Sequence, residues 1–132
     1  MLPDGDFDMV KEIMLDFDFK LISKDNEKIK GQHGKYYLSQ KYKNFELQVK
    51  LIARSQMVKL KLKQFDAGQK IRMNIFASFK SKVHADMWNL PKSLSDALQG
   101  VVYENDRQIK YGDISILEGE AVDNFSVYVG EL

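Results

Sequence analysis

Asp86, Lys92 and Asp106 are the side chains of this 132-residue chain best suited to act together on a phosphate. They fall within residues 86–106, DMWNLPKSLSDALQGVVYEND. Carboxylate oxygens are the hard donors that magnesium takes, with substrate phosphate and water completing its octahedron. A lysine beside such an ion can offset the negative charge that builds on a scissile phosphate. Asp96, four residues after Lys92, shares its helix face and adds a third carboxylate. Spacing alone allows a plainer reading as well. Asp86 and Asp106 then serve as turn formers, and Lys92 with Asp96 as an exposed pair contributing roughly a few tenths of a kcal/mol.

The elements that must position these groups are legible nearby. Asn89 is a good helix N-cap, and Pro91 falls in the first turn, where a missing N–H costs nothing. Leu90, Leu94, Ala97 and Leu98 form one apolar stripe at helical period, and Gly100 suits a left-handed C-terminal cap. These signals predict a helix from about Leu90 to Gln99. Asp86 precedes it on the connection, and Asp106 follows beyond an apolar, strand-like Val101-Val102-Tyr103.

The stretch resembles the signature of the RusA family of Holliday junction resolvases. That family carries Asp-x-Asp-Asn-Leu-x-Lys, then x-x-x-Asp-Ala-Leu, a short apolar link, and an acidic pair before x-Gln-Ile. The matching residues are Asp86, Asn89, Leu90, Lys92, Asp96-Ala97-Leu98, Val101-Val102-Tyr103 and Asp106-Arg107-Gln108-Ile109. Two positions depart: Trp88 stands where the second aspartate belongs, and Asn105 where the first of the later acidic pair belongs. The resemblance implies a homodimeric, magnesium- or manganese-dependent endonuclease of four-way DNA junctions. Its catalytic residues would be Asp86, Lys92 and Asp106, with the ion on Asp86 and Asp106. Trp88 cannot ligate a metal. Asp96 is then the best substitute, ahead of Glu104 and His84; otherwise the ion is held more weakly or cleavage is lost. The alternative is therefore a weakened or inactive homologue that binds nucleic acid.

Charge supports a nucleic-acid partner. Net charge is only +1, yet residues 19–63 hold twelve Lys or Arg against three acids, whereas residues 1–18 hold six acids against Lys11. Lys24, Lys28, Lys30, Lys35, Lys41 and Lys82 are the candidate phosphate contacts, which position DNA without reading its sequence. Lysines that merely solvate a surface would look the same. No cysteine is present, so disulfides and thiolate metal sites are excluded. No apolar run approaches the roughly 18 residues of a membrane span. The acidic first residues lack the basic-then-apolar order of a signal peptide, so a cytoplasmic location is expected.

The length predicts one domain, residues 12–132, behind a flexible acidic arm, residues 1–11. Alternation predicts strands from Ile13 to Ile22, Lys70 to Lys80 and Gln108 to Glu118, the third with a bulge near Gly112, and a last strand through Phe125, Val127 and Val129. Residues 23–34 read as a polar loop. Ser39 is placed to cap a helix carrying Tyr42, Phe45, Val49, Ile52 and Ala53 on one stripe and continuing to about Leu62. The expected fold is α/β (α+β): a mixed sheet of about four strands with two main helices packed on it.

Overall fold

Strand β1, Glu12–Phe17, buries Ile13, Leu15 and Phe17 and exposes the residues between them, the period-two pattern of a half-buried strand. It belongs to a computed structural model that describes residues 10–24, 28–30 and 36–132. The expected acidic arm lies outside the described residues as far as residue 9. Lys11 is fastened: its carbonyl accepts from the Glu131 amide, and its ammonium reaches the Gln64 carbonyl at 3.1 Å. The strand stops at Phe17 although the alternation continues. Its partner β6, Asn124–Glu131, pairs Phe125 with Phe17 and has only Asn124 beyond it. Leu21 and Ile22 are then buried in succession, which a strand facing one core does not allow.

Part of the expected loop is ordered backbone. β2, Lys28–Lys30, pairs antiparallel with β3, Tyr36–Leu38, in a two-stranded sheet of its own. A three-residue polar strand is too short to show a period. Helix α1, Gln40–Lys59, starts as expected, with the Ser39 hydroxyl accepting from the Tyr42 amide at 3.1 Å. It buries Tyr42, Phe45, Val49, Ala53 and Met57. It ends at Lys59 and not near Leu62, because the Leu62 amide turns back to the Met57 carbonyl and the Lys61 amide to that of Val58. That is a Schellman closure with Lys61 in the left-handed region, φ 56°, where glycine is the usual signal.

β4, Ile71–Phe79, is central and buries every second residue. It runs antiparallel to β6 and parallel to β5, Ile109–Glu118, giving a mixed sheet of order β1-β6-β4-β5. Parallel neighbours need a crossover, and α2, Leu90–Leu98, supplies it. The expected bulge lies at Lys110, which the register skips between Ile71–Ile109 and Arg72–Tyr111. One hydrophobic core joins the buried sheet face to both helices. Tyr42 donates its hydroxyl to the Ser93 carbonyl at 3.2 Å, and Ser93 donates to the Ile22 carbonyl at 2.6 Å. Lys50 sets its ammonium on the Ala97 and Gln99 carbonyls at 2.8 and 3.4 Å, a cation where the helix dipole is negative. The architecture is therefore the expected α+β domain.

Candidate active site

The two ends of α2 are built differently. At its start Asn89 is not the expected cap. It lies in the right-handed helical region (φ −91°, ψ −22°), and its side chain makes no capping bond. The Asp86 carbonyl does the work, accepting from the amides of Asn89 and Leu90 at 2.9 and 3.3 Å. Asp86 is exposed on this turn, and Trp88 is 81% exposed.

Beyond α2 the chain is tightly fixed. Gly100 takes φ 81° as expected, but Val101-Val102-Tyr103 is a buried turn and not a strand, closed by the Gly100 amide on the Tyr103 carbonyl at 2.7 Å. Asp106 then opens a 3₁₀ turn, Asp106–Gln108. Asn105 caps it by accepting from the Arg107 amide at 2.8 Å. The buried Gln108 accepts from the amides of Glu104 and Asn105 and donates to the carbonyls of Asp66 and Gln69. The Asp106 amide is held by Gln99 Oε1 at 2.9 Å. From sequence Gln108 is legible only as a position of the family motif and Gln99 only as the end of α2; neither is given a supporting role, although Asn105-x-x-Gln108 has the spacing of a capping box.

A cleft of about 370 Å³ opens between the first two turns of α2, the 3₁₀ turn and β5. Lys92, Asp106, Trp88 and Ser95 line it over a floor that includes Met73 and Ile75. Lys92 and Asp106, predicted from sequence, are thus brought together. Asp86 and Asp96 are not among the lining residues. Asp96 instead lies 3.5 Å from the Lys24 ammonium. Asp113 reaches the cleft along β5, but its carboxylate accepts from Asn74 at 2.6 Å. Asn74 alternates with Met73 and Ile75, so this bond lies on the opposite sheet face.

Beneath Ser95, the Tyr103 hydroxyl donates to its carbonyl at 2.6 Å. Burial first, then the negative charges of Asp106 and Asp96, raise the Tyr103 pKa far above the ordinary phenol value. The phenol stays a neutral prop between helix and turn.

The remaining candidates divide. His84 stacks on Phe79 at 4.2 Å, with Nδ1 2.8 Å from the Ala85 carbonyl and Nε2 2.5 Å from Glu118, so both ring nitrogens are engaged. Glu104 is exposed. Lys24 pairs with Asp96, while Lys41 and Lys82 are exposed. Lys35 and the side chains of Lys28 and Lys30 lie outside the described residues.

Among the described residues no three His, Cys, Asp or Glu side chains gather as a group able to hold a metal ion. Magnesium accepts one or two carboxylates when phosphate and water fill its other positions. Asp106, the carboxylate that lines the cleft with Lys92, would be the protein ligand to such an ion, with substrate and water supplying the rest. Nor, among the described residues, is any helix long and apolar enough to cross a membrane.

Fold and cleft together define a small α+β domain in which a lysine and a carboxylate line one cleft at the edge of a mixed sheet. The family described as Endodeoxyribonuclease RusA matches residues 18–122, and the chain belongs to it. No curated protein matches the chain.

Proposed function

We propose that this protein is a divalent-metal-dependent endonuclease of the Holliday junction resolvase type, acting in the cytoplasm as a homodimer on four-way DNA junctions. The observation that carries the reading is Lys92 and Asp106 facing one cleft inside a family-matched domain. Two symmetric cuts resolve a junction, and a dimer supplies them.

Asp106 would hold the ion, magnesium or manganese, on a carboxylate that its turn keeps in place. Such an ion neutralises phosphate charge and lowers the pKa of an attacking water. Lys92 stabilises the charge that develops on the phosphoryl oxygens. Asp86, exposed on the turn before the helix and outside the cleft lining, would be the second carboxylate to an ion that substrate draws in. The exposed Lys41 and Lys82 steady the arms through phosphates.

The test is a labelled synthetic four-way junction incubated with Mg²⁺. Paired nicks near the crossover are expected, falling by at least about 100-fold in Asp106→Asn and in Lys92→Met. A second reading rests on Trp88, which leaves the entry turn without its expected carboxylate: the protein binds junctions and does not cut them. Retarded but intact junctions at every Mg²⁺ and Mn²⁺ concentration would establish that reading.

A further inference from the structure

The geometry points to Trp88 as a stacking platform for an unstacked nucleobase at the branch point, which makes it a specificity-determining residue for branched over continuous duplex DNA. The inference rests on the proposed action on DNA junctions, but not on cleavage. Tryptophan is among the most buried residues on average, so an indole left 81% exposed stands out. It is not isolated. Val83 and Met87, on the approach to the same helix, are 79% and 36% exposed, which makes an apolar rim at this end of α2.

The rim belongs to the cleft and not to some remote surface. Trp88 lines it together with Lys92 and Asp106, over Met73, Ile75 and Pro91. A volume of about 370 Å³ is at the small end of what takes small-molecule groups. Its chemistry is divided in the way a nucleotide is: an aromatic and aliphatic wall for a base, and an ammonium a turn away for its phosphate. DNA satisfies both halves of that division. Continuous duplex keeps both faces of each base stacked. An open branch point interrupts stacking and offers base faces that the interior of a continuous duplex does not, so with hairpin-closed ends on both DNAs the indole gains contact only at the branch. Loss of a carboxylate at position 88 and gain of a base platform would then be one change with two consequences.

Trp88 is the only tryptophan in the chain, so its fluorescence reports this contact alone. The full chain is titrated with a four-way junction and with a duplex of equal length, both with hairpin-closed ends, binding being followed separately by anisotropy of labelled DNA. At saturation the junction is expected to quench the indole and the duplex to leave it unchanged. Trp88→Ala should weaken junction binding by roughly 5- to 100-fold with much less effect on duplex, and Trp88→Phe should recover most of the loss. Unchanged fluorescence at junction saturation, or equal losses on both DNAs, would overturn the inference. So would an emission shift that follows protein concentration without DNA, which would assign the indole to a second copy of the chain. Quenching without nicks sinks only the cleavage reading, and nicks without quenching sink only this one. Failure to bind either DNA sinks both.

Discussion

The turn into α2 and the turn out of it frame the same cleft, yet they are held in opposite ways. Entry relies on one backbone carbonyl, that of Asp86, with the Asn89 side chain unused and Trp88 in solvent. Exit is over-determined: Asn105 caps it, Gln108 makes four bonds from a buried position, and Gln99 holds the Asp106 amide. Catalytic groups need their supporting shell locked in place. Each turn keeps one family aspartate, Asp106 at the exit and Asp86 at the entry, and each has exchanged one acidic position, for Asn105 and Trp88. The exchanges differ in use: Asn105 caps the exit turn, whereas little packing depends on the exposed Trp88 at the entry.

The strongest way to break the contrast is Gln108→Ala. It removes four part-buried hydrogen bonds of the turn, so a loss of about 3 kcal/mol is expected in urea unfolding. Junction nicking should fall with it. A loss under about 1 kcal/mol would mean the exit turn holds its shape without the glutamine. Trp88→Asp attacks the other side. Being exposed, the position should change stability by less than about 0.5 kcal/mol. With junction in saturating excess, so that loss of the indole does not limit binding, the new carboxylate should raise nicking by about ten-fold at limiting Mg²⁺, since it adds one more hard ligand to the cleft that Asp106 lines. Nicking that stays flat while Mg²⁺ binding measured by calorimetry also stays flat would show the entry turn to be too far from the ion.

What could be read beforehand follows the same division. Periodicity exposed α1, β4 and the apolar stripe of α2, because each buries one face against the common core. Lys92 and Asp106 were legible as a spaced motif, and the structure brings them to one cleft. Tertiary choices were not legible. Lys24 takes Asp96 away from Lys92, and Lys50 spends its charge on the end of α2; a lysine-rich composition looks the same whether its members face solvent or fasten a helix. Lys61 ends α1 in a left-handed conformation without the glycine that would have announced it. Asn89 has the right residue type for a cap and the wrong backbone angles.

Tyr103 joins the exit turn to the helix and gives the comparison a pH dependence. Its pKa is raised in the folded protein, chiefly by burial, so above about pH 10 the unfolded chain releases a phenol proton that the native state keeps. Stability therefore falls as pH rises through that range, and is unaffected by this group below it. Tyr103→Phe should cost about 1 kcal/mol at neutral pH through the lost bond to the Ser95 carbonyl. It also removes the alkaline loss, so the two unfolding curves should meet about one pH unit above the ordinary phenol value. Curves that stay parallel would mean that the hydroxyl reaches water.

The finest discrimination comes from two asparagines that sequence presents as alike. Both precede a helical turn, and both have the residue type that favours an N-cap. Only Asn105 uses it, accepting from the Arg107 amide, whereas Asn89 lies already inside helical angles with no amide in its grasp. Asn105→Ala should therefore cost about 1 kcal/mol, within the range for a working cap. Asn89→Ala should fall within about 0.5 kcal/mol of the parent, because alanine suits a helical backbone better and no bond is lost. Matched urea titrations of the two variants decide it. Equal costs would mean that Asn89 caps α2 in solution, and the entry turn would then be as firmly set as the exit.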